Sequence, residues 1–493
     1  MKKVIIVGAG IGGLTTAIRL LKKGFDVTII EKEFNVGGKV NIHGNADFKF
    51  DLTASIMMTA DIYLEVFKDF KEENLELINL EPMYNVYYYD GTNYKFYSDI
   101  VKMKNQLAKL DIKLPTQYEK FLINTLKNYE ICKEKFLDKP MINLNEIIDV
   151  EKFIKVFDMK INKNCYEYIS EFIDNEKFKE YLLFKAMYMG VNPYESSSIY
   201  TLIPAISHGF GLHHIKGGMY KYILELEKYI NLLGGKIQKD TTVEKIITSE
   251  NKVTGVATDK EIYYGDIVVC NADFPYAIEN LFENKFKEGQ YNKNNIEDKK
   301  YSYSVFMIYL GLRKKYNNLA VHNIYINKDL RKSLKESAEG KLPLNPSTYI
   351  YYPTSVDESF CENGKSVMNI MVRVPNLEHH IKWDSKLIKE FRNKVIDCIK
   401  NIEGLEDIEK FIEYEDYLTP LDLQNRFNAY KGSSFGLSHS LNQSLYLRPH
   451  IKSKEINGLY YIGSSTHPGN GVSIIISGTK VLADLIEKDS KNY

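Results

Sequence analysis

The chain contains 493 residues, of which 44% are hydrophobic and 26% are charged, and this composition excludes a disordered or fibrous protein. Its 65 lysines and arginines balance 65 aspartates and glutamates, so no net positive field favours nucleic acid as a partner. The five cysteines are scattered without a CxxC pair, which argues against a disulfide framework and a zinc site. The length predicts two or three domains, or one large domain with an insertion.

The first ten residues, Met1 to Gly10, have the basic start and apolar middle of a signal peptide. Their glycines, however, fall at the spacing of a phosphate-binding loop. Elsewhere no run of about 18 apolar residues is long enough to span a bilayer. We therefore expect a cytoplasmic protein, or one that lies on a membrane surface without crossing it.

The N-terminal segment predicts a strand, a glycine-rich turn and a helix in immediate succession. Lys3 to Val7 form an apolar run, and a helical pattern follows from Leu14 to Lys23. The intervening turn matches the dinucleotide-binding fingerprint, in which glycines allow a tight turn and close approach of the backbone to a pyrophosphate. Its candidate cofactor-binding residues are Gly8, Ala9, Gly10, Ile11, Gly12 and Gly13.

A second strand, Asp26 to Glu31, ends in an acidic residue at the distance expected of a ribose-binding carboxylate. Strand, glycines, helix, second strand and Glu31 together predict a dinucleotide site, although they do not separate NAD from FAD. Gly38 and Lys39 follow in a Gly-Gly-Lys sequence that resembles the extension found in amine oxidase and phytoene desaturase flavoproteins. This resemblance favours FAD.

The C-terminal segment repeats the pattern of a strand followed by a glycine-rich turn and a helix. Gly458 to Gly463 read as the strand, and the turn continues through Ser464 to Gly471 and Val472. Such a turn directs backbone N–H groups toward negative charge, as on a reduced flavin ring. His467 in this turn is a candidate for catalysis or for a structural hydrogen bond. The pairs His213-His214 and His379-His380 lack partners at metal-ligand spacing, so we expect no metal.

These motifs, in this order, resemble the bacterial-type phytoene desaturase family of FAD-dependent enzymes over nearly the whole chain. The sequences that carry the resemblance are GAGIGG, GGK, KGGMY, CNAD and GSSTHPGNG. Segments outside the flavin motifs, such as Phe172 to Lys177, Gly211 to Tyr220 and Gly432 to Leu437, are most similar to the dehydrosqualene (4,4'-diapophytoene) desaturase branch. In related flavoproteins, the residue that matches Val243 contacts the adenine end through its backbone.

The resemblance implies an α/β fold with two dinucleotide-binding domains, in which a discontinuous Rossmann-like FAD domain contains an inserted, mixed α+β substrate domain. The FAD domain is expected to comprise residues 1–83, 207–300 and 420–493, and the substrate domain residues 84–206 and 301–419. Helical patterns at Tyr118 to Phe136 and Tyr166 to Met189 fall in the latter. Two departures from the family pattern are Thr53, where glycine is usual, and Asn470, where alanine is common.

The implied activity is desaturation of a linear polyisoprenoid hydrocarbon, with hydride transfer to flavin N5 and loss of a proton from the adjacent carbon. The implied partners are an isoprenoid substrate, a membrane surface bound peripherally, and quinone or oxygen as electron acceptor. Alternatives are a polyene isomerase or saturase, a flavin amine oxidase, and a non-enzymatic prenyl-binding protein like the Rab escort proteins. The sequence leaves the oligomeric state open.

Overall fold

The computed structural model describes residues 2–70, 73–143, 159–283 and 286–491. Its strands in chain order are β1 (Lys3–Val7), β2 (Asp26–Ile30), β3 (Ile42–Gly44), β4 (Lys49–Asp51), β5 (Leu77–Asn79), β6 (Tyr84–Tyr88), β7 (Asn93–Phe96), β8 (His213–Ile215), β9 (Lys236–Gln238), β10 (Val243–Ser249), β11 (Lys252–Thr258), β12 (Ile262–Tyr264), β13 (Ile267–Cys270), β14 (Lys287–Glu288), β15 (Tyr291–Asn292), β16 (Ser304–Leu312), β17 (His322–Ile326), β18 (Thr348–Tyr351), β19 (Ser366–Val374), β20 (Ile412–Leu418) and β21 (Leu459–Tyr461).

The α-helices are α1 (Ile11–Lys22), α2 (Ala60–Glu65), α3 (Ile100–Leu110), α4 (Leu114–Cys132), α5 (Cys165–Ser170), α6 (Glu176–Ala186), α7 (Leu202–Phe210), α8 (Met219–Leu232), α9 (Phe274–Asn280), α10 (Leu330–Ala338), α11 (Ser385–Ile399), α12 (Pro420–Phe427) and α13 (Val472–Lys491). Within the described part of the chain, no helix combines the length and the apolar character needed to cross a bilayer.

A five-stranded parallel sheet has the strand order β21-β13-β1-β2-β9. Its central strands are almost entirely apolar because both faces are covered. Helices α1, α8 and α13 cover one face, while β10 to β12 and α9 pack against the other. The carboxyl ends of β1, β2, β13 and β21 therefore meet along one edge, where open α/β sheets bind their ligands.

A second sheet has seven strands in the order β20-β16-β19-β18-β17-β6-β7. It is mixed, because β6 and β17 run parallel and the other neighbours run antiparallel. Alternate residues of its strands pack against α11 in a core that includes Phe306, Ile370 and Phe391. The residues between them face the opposite way, so the sheet is buried on both sides.

The two sheets together confirm the expected α/β architecture, with a parallel sheet of the dinucleotide-binding type and a second, mixed region. The strands of the parallel sheet lie within 3–30, 236–270 and 459–461, and those of the mixed sheet within 84–96 and 304–418. The exact domain boundaries stay a prediction. Residues 144–158 of the expected substrate domain lie outside the described residues.

Two predicted helices differ in detail from the structure. The pattern at Tyr166 to Met189 is not one helix, because α5 ends at Ser170 and α6 begins only at Glu176. The side chain of Asn175 accepts a hydrogen bond from the backbone N–H of Phe178 at 3.0 Å, and this N-cap starts the second helix. The predicted helix that ends at Phe136 is α4 followed by a π-helical turn, Lys133–Leu137.

Candidate functional site

A cavity of about 420 Å³ lies between the edge of the parallel sheet and one face of the mixed sheet. Most of the residues predicted to bind a cofactor contribute to its wall. These residues are Gly8, Gly10, Ile11, Gly12, Glu31, Gly38, Lys39, Val243, Gly463, Ser464, Gly471 and Val472. We call the part of the wall that they form the loop-side wall.

The two remaining candidates, Ala9 and Gly13, lie behind the loop-side wall and fix its shape. The backbone N–H of Ala9 donates to Glu31 Oε2 at 2.6 Å, and that of Gly13 donates to Asn271 Oδ1 at 2.9 Å. A Cβ atom on Gly13 would lie 2.1 Å from the carbonyl oxygen of Gly8. Only glycine therefore allows α1 to pack this closely against the turn.

Glu31 is buried at the carboxyl end of β2, and both of its carboxylate oxygens accept backbone N–H groups. Oε2 accepts from Ala9, and Oε1 accepts from Glu33 at 2.9 Å. Burial raises the pKa of the carboxyl group, while these two hydrogen bonds oppose that shift. Glu31 and Val243 lie in the same part of the wall, so the carboxylate is placed to accept a hydroxyl group of a ligand.

Asn271 connects the first glycine turn to the last one, and the sequence analysis did not identify it as a site residue. Its Nδ2 donates to the carbonyl of Ile462 at 2.7 Å, while its Oδ1 holds the N–H of Gly13. The side chain also lines the cavity. The available signal was the CNAD motif at the end of β13, which places this amide at the same sheet edge as Gly8 and Gly463.

Arg448 supports the last turn and was also missed. Its fully buried guanidinium donates only to backbone carbonyls, at distances of 2.6 to 3.2 Å. The acceptors are the carbonyls of Leu437, Ser438, Gln443, Ser464 and Thr466. No sequence pattern marks this arginine, because its partners are main-chain atoms of three separate segments.

Lys39 lies at the cavity wall with its Nζ donating to the carbonyls of Ser434 at 2.9 Å and Ser433 at 3.4 Å. Burial lowers the pKa of the ammonium group, and the nearby carboxylate of Asp273 opposes this shift. Thr53, the first departure from the family pattern, donates its hydroxyl to the carbonyl of Lys39 at 2.7 Å. The wall therefore has room for the side chain of Thr53, and its hydroxyl has an acceptor there.

His467 lies behind the loop-side wall and is almost completely buried. Its Nε2 lies 2.9 Å from the carbonyl of Lys139 and 3.2 Å from that of Phe136. Burial lowers the pKa of the imidazole to about 4, which favours the neutral ring with a proton on Nε2. These contacts tie the last turn to the π-helical turn that follows α4, which is the structural hydrogen bond that the sequence analysis left open, and a catalytic role for His467 stays a prediction.

The opposite wall of the cavity is formed by one face of the mixed sheet. Its residues alternate along β16, β18 and β19 and are paired across the strands, as with Met307 and Met371. We call this the sheet-side wall, and its members are Val305, Met307, Tyr349, Met371 and Arg373. It is largely apolar, and Arg373 is its only charged residue.

Asn470, the second departure from the family pattern, stands where the two walls meet. Its Nδ2 donates to the carbonyl of Met189 at 3.3 Å, and its buried Oδ1 has no hydrogen-bond partner within the described residues. Asn470 lines the cavity together with Met189 and Tyr188. An amide acceptor thus replaces a small apolar group beside the last turn.

The loop-side wall fits a dinucleotide cofactor. Helices α1 and α13 both begin at the cavity, and neither carries an acidic residue in its first turn. The N-cap of α1 is Gly10, which has no side chain to satisfy the free N–H groups. Two helix N-termini and a row of glycines can hold a pyrophosphate and stabilise charge on a ring system. Fold and cavity together define a dinucleotide-dependent oxidoreductase.

Comparison with known proteins agrees with this class. The family model described as flavin containing amine oxidoreductase matches residues 11–475. A 4,4'-diapophytoene desaturase (4,4'-diaponeurosporene-forming) of Staphylococcus haemolyticus is 31% identical over 494 residues, which cover 99% of each chain. The corresponding protein of Staphylococcus aureus strain Newman is 32% identical over 497 residues, again with 99% of each chain covered.

Solved structures with the same fold include an oxidoreductase from Methanosarcina mazei, with a TM-score of 0.66, 15% identity and coverage of 98% of this chain and 100% of that one. Cyclohexylamine oxidase from Brevibacterium oxydans has a TM-score of 0.63, 14% identity and 99% coverage of both chains. The protein belongs to the flavin-containing amine oxidoreductase family, and its resemblance to the phytoene desaturases is confirmed. It is an FAD-dependent oxidoreductase.

Proposed function

We propose that the protein desaturates a linear polyisoprenoid hydrocarbon of the dehydrosqualene or phytoene type. The observation that carries this proposal is the sheet-side wall, where Val305, Met307 and Met371 offer a continuous apolar surface to the cavity. A hydrocarbon gains free energy on leaving water for such a surface, at roughly 25 cal/mol per Å² buried. The staphylococcal relatives, which are named as desaturases of 4,4'-diapophytoene, support the same substrate class.

In this proposal FAD is held by the loop-side wall. Gly8, Gly10 and the N-terminus of α1 would hold the pyrophosphate, Glu31 would accept the ribose hydroxyls, and Val243 would contact the adenine. The turn from Gly463 to Val472 would offer its N–H groups to the flavin ring. When bound, FAD supplies the hydride acceptor for the reaction.

The sheet-side wall then positions the substrate and excludes water from it. Desaturation removes a hydride and a proton from two adjacent carbons, so the wall would have to hold the chain with its reacting carbons beside the bound cofactor. The three carboxylates that line the cavity have other partners. Glu31 holds two N–H groups, Asp273 accepts from Ser465 Oγ at 2.6 Å and from Tyr430 N at 3.0 Å, and Glu33 lies 3.7 Å from Lys32 Nζ. This favours a mechanism that relies on alignment and charge stabilisation and not on a strong carboxylate base. Quinone or oxygen would reoxidise the flavin.

The test is coexpression with a dehydrosqualene synthase in a host that makes no carotenoids, followed by chromatography of the extracted pigments. We expect conjugated yellow products with the wild-type chain and none with Gly13→Ala, which disrupts the glycine turn. Unchanged dehydrosqualene beside a folded, flavin-containing protein would contradict the proposal. An isomerase or saturase would instead require added reductant and yield no additional double bonds.

We also propose that the protein docks on anionic membranes through the pair of helices α3 and α4. This surface carries exposed apolar side chains, including Ile112, which is 82% exposed, and Ile123, which is 62% exposed. Exposed lysines surround them, at positions 102, 109, 113, 120 and 127. Helix α4 also contributes Tyr129 to the cavity wall, next to Ile206 of α7. A lipid-soluble substrate could thus pass from the bilayer to the cavity beside the helix that binds the membrane.

Sedimentation with vesicles of phosphatidylcholine and phosphatidylglycerol tests this docking. The double variant Ile112→Glu/Ile123→Glu should reduce the vesicle-bound fraction at least fivefold, because both changes place a carboxylate in the apolar surface. Leu344→Glu is the matched control, since Leu344 is 58% exposed elsewhere on the molecule. Equal loss in both variants, or no loss in either, would refute docking through α3 and α4.

A further inference from the structure

Arg373 is an isolated cation in the sheet-side wall. It extends from β19 into the cavity, on the same face as Met371, and is only 8% exposed. Its Nη1 has no hydrogen-bond partner, and no carboxylate pairs with it within the described residues. The ring centroid of Phe435 lies 5.1 Å from its guanidinium carbon.

This arrangement is unlike that of the other fully buried arginine, Arg448, whose donors all face backbone carbonyls. The aromatic ring of Phe435 compensates part of the charge of Arg373 but offers no acceptor for its N–H groups. A hydrocarbon placed against Arg373 would keep the cation away from water without giving it an acceptor, and that is unfavourable. The cavity therefore matches a ligand that brings an oxygen acceptor to this position.

We propose that Arg373 binds an anionic oxygen acceptor on a molecule held in the cavity. A planar guanidinium presents parallel N–H groups that match a carboxylate or the carbonyl edge of a ring. Two sources have this chemistry: a polyene substrate with an oxidised, carboxylate end, and the reduced flavin, which carries negative charge beside a carbonyl. Only the first source rests on the proposed function, because it requires a polyene in the cavity.

The position of Arg373 is compatible with both sources. Tyr188 and Asn470 line the same cavity and add polar groups beside an apolar surface. Arg373 lies at the end of the row formed by Met371 and its partners, so a polyene along the sheet-side wall would reach it with one end. Ser434 joins this region to the loop-side wall, since its carbonyl accepts from Lys39.

The experiment uses the FAD-loaded protein and two readouts that require no turnover. The first is the Kd of all-trans-retinoic acid, a polyene with a carboxylate end, compared with that of the hydrocarbon squalene. The second is the reduction potential of the bound flavin. The variants are Arg373→Met, which keeps the length but removes the charge, and Arg373→Lys, which keeps the charge but loses the planar fork. Arg331→Met, at an exposed arginine of α10, is the matched control.

If the acceptor is on the substrate, Arg373→Met should raise the Kd of retinoic acid at least tenfold and change the Kd of squalene by less than twofold. Arg373→Lys should restore part of the lost affinity for retinoic acid. A flavin-borne acceptor predicts unchanged retinoic acid binding and a reduction potential lower by about 30 mV, which corresponds to a tenfold loss of stabilisation of the reduced form. Wild-type values in both readouts would overturn the proposal. If Arg373→Met fails to fold, Arg373→Lys carries the comparison with a smaller threshold, because it keeps the charge: a threefold weaker binding of retinoic acid, or a reduction potential lower by about 14 mV, is then required.

These outcomes are independent of the pigment experiment. Retinoic acid binding or a shifted potential without pigment formation would place the failure in the proposed substrate and leave the role of Arg373 intact. If pigment forms with wild type, and Arg373→Met has the Kd and the reduction potential of wild type, the proposed function stands and the role of Arg373 is refuted.

Discussion

The two walls of the cavity are built in different ways. The loop-side wall is formed by backbone: glycines at the strand ends, two helix N-termini, and side chains such as Asn271 that hold those turns in place. The sheet-side wall is formed by side chains that alternate along paired strands, most of them apolar, with Tyr349 held by hydrogen bonds to Ser55 and His322. Substitutions in the first wall should therefore affect folding and cofactor binding together, whereas substitutions in the second should affect mainly the choice of ligand.

Arg448 and Arg373 offer the sharpest test of this difference. Arg448 supports the last turn of the loop-side wall and Arg373 lies in the sheet-side wall, so the same substitution can be compared at both. Arg448→Met removes a donor from five carbonyls, of which, in the described part of the chain, only that of Ser438 keeps a second donor, Gln443 Nε2 at 3.4 Å, and we expect it to lower the free energy of unfolding by about 3 to 5 kcal/mol. Arg373→Met removes a buried charge whose Nη1 has no acceptor within the described residues, so the ligand-free protein should be unchanged or stabilised by about 1 kcal/mol. Urea unfolding measures both, and equal losses would show that the two walls do not differ.

Gly13→Ala tests the backbone wall at its tightest contact. The new Cβ would lie 2.1 Å from the carbonyl oxygen of Gly8, and neither atom belongs to a flexible side chain. We expect a loss of roughly 2 to 3 kcal/mol in the free energy of unfolding and of most of the bound FAD, measured by the ratio of flavin to protein absorbance.

The control for this glycine is Gly91→Ala. Unlike Gly13, which lies within α1, Gly91 has a positive φ of 80°, and a Cβ there meets no atom within 4 Å. It should cost only about 1 kcal/mol, the conformational penalty of alanine in this region, and retain the flavin. A Gly13→Ala protein with full flavin content would show that the turn adapts to a side chain, contrary to the rigid wall inferred here.

The same difference explains what could be predicted from the sequence. The turn from Gly8 to Gly13 and the acidic end of β2 at Glu31 could be predicted because backbone turns need particular residues at fixed spacing, and such local patterns are visible in one chain. Arg373 and Arg448 were not found, because their environment depends on strands and loops far apart in sequence. The break between α5 and α6 was missed because the residues on both sides of it follow a regular helical pattern. The side chain of Asn175, which caps the second helix, marks the break only weakly in the sequence.

Three of the candidates, Ala9, Gly13 and His467, do not line the cavity, and His467 is the one of them for which catalysis was considered. Its position in a glycine-rich turn suggested contact with the cofactor, but sequence cannot tell which side of a turn a side chain occupies. The ring points behind the turn, toward the carbonyls of Phe136 and Lys139. The motif therefore predicts where the turn lies, but it does not predict the direction in which the side chain of His467 points.

The smallest expected effect concerns Asp51, at the junction of the two sheets. Its Oδ2 accepts from Tyr351 Oη at 3.0 Å, and burial raises its pKa from 3.8 to about 6. A raised folded pKa means that the protonated acid favours the folded state, so its contribution is complete below about pH 4 and is lost as the pH rises through about 6. The limit set by a shift of this size is about 3 kcal/mol, and we expect roughly 1 to 2 kcal/mol.

Asp51→Asn isolates that contribution, because the amide oxygen can still accept from Tyr351 and does not titrate. The free energy of unfolding is measured in urea for wild type and for Asp51→Asn. Relative to Asp51→Asn, wild type should lose stability as the pH rises from about 4 to 7, and the difference should then become constant. Asp298→Asn, at an exposed aspartate, serves as the control and should give no such slope. A difference independent of pH would mean that Asp51 stays ionised in the folded protein. Asp51 would then be a buried charge. Its hydrogen bond from Tyr351 would contribute less to stability than the backbone turns of the loop-side wall.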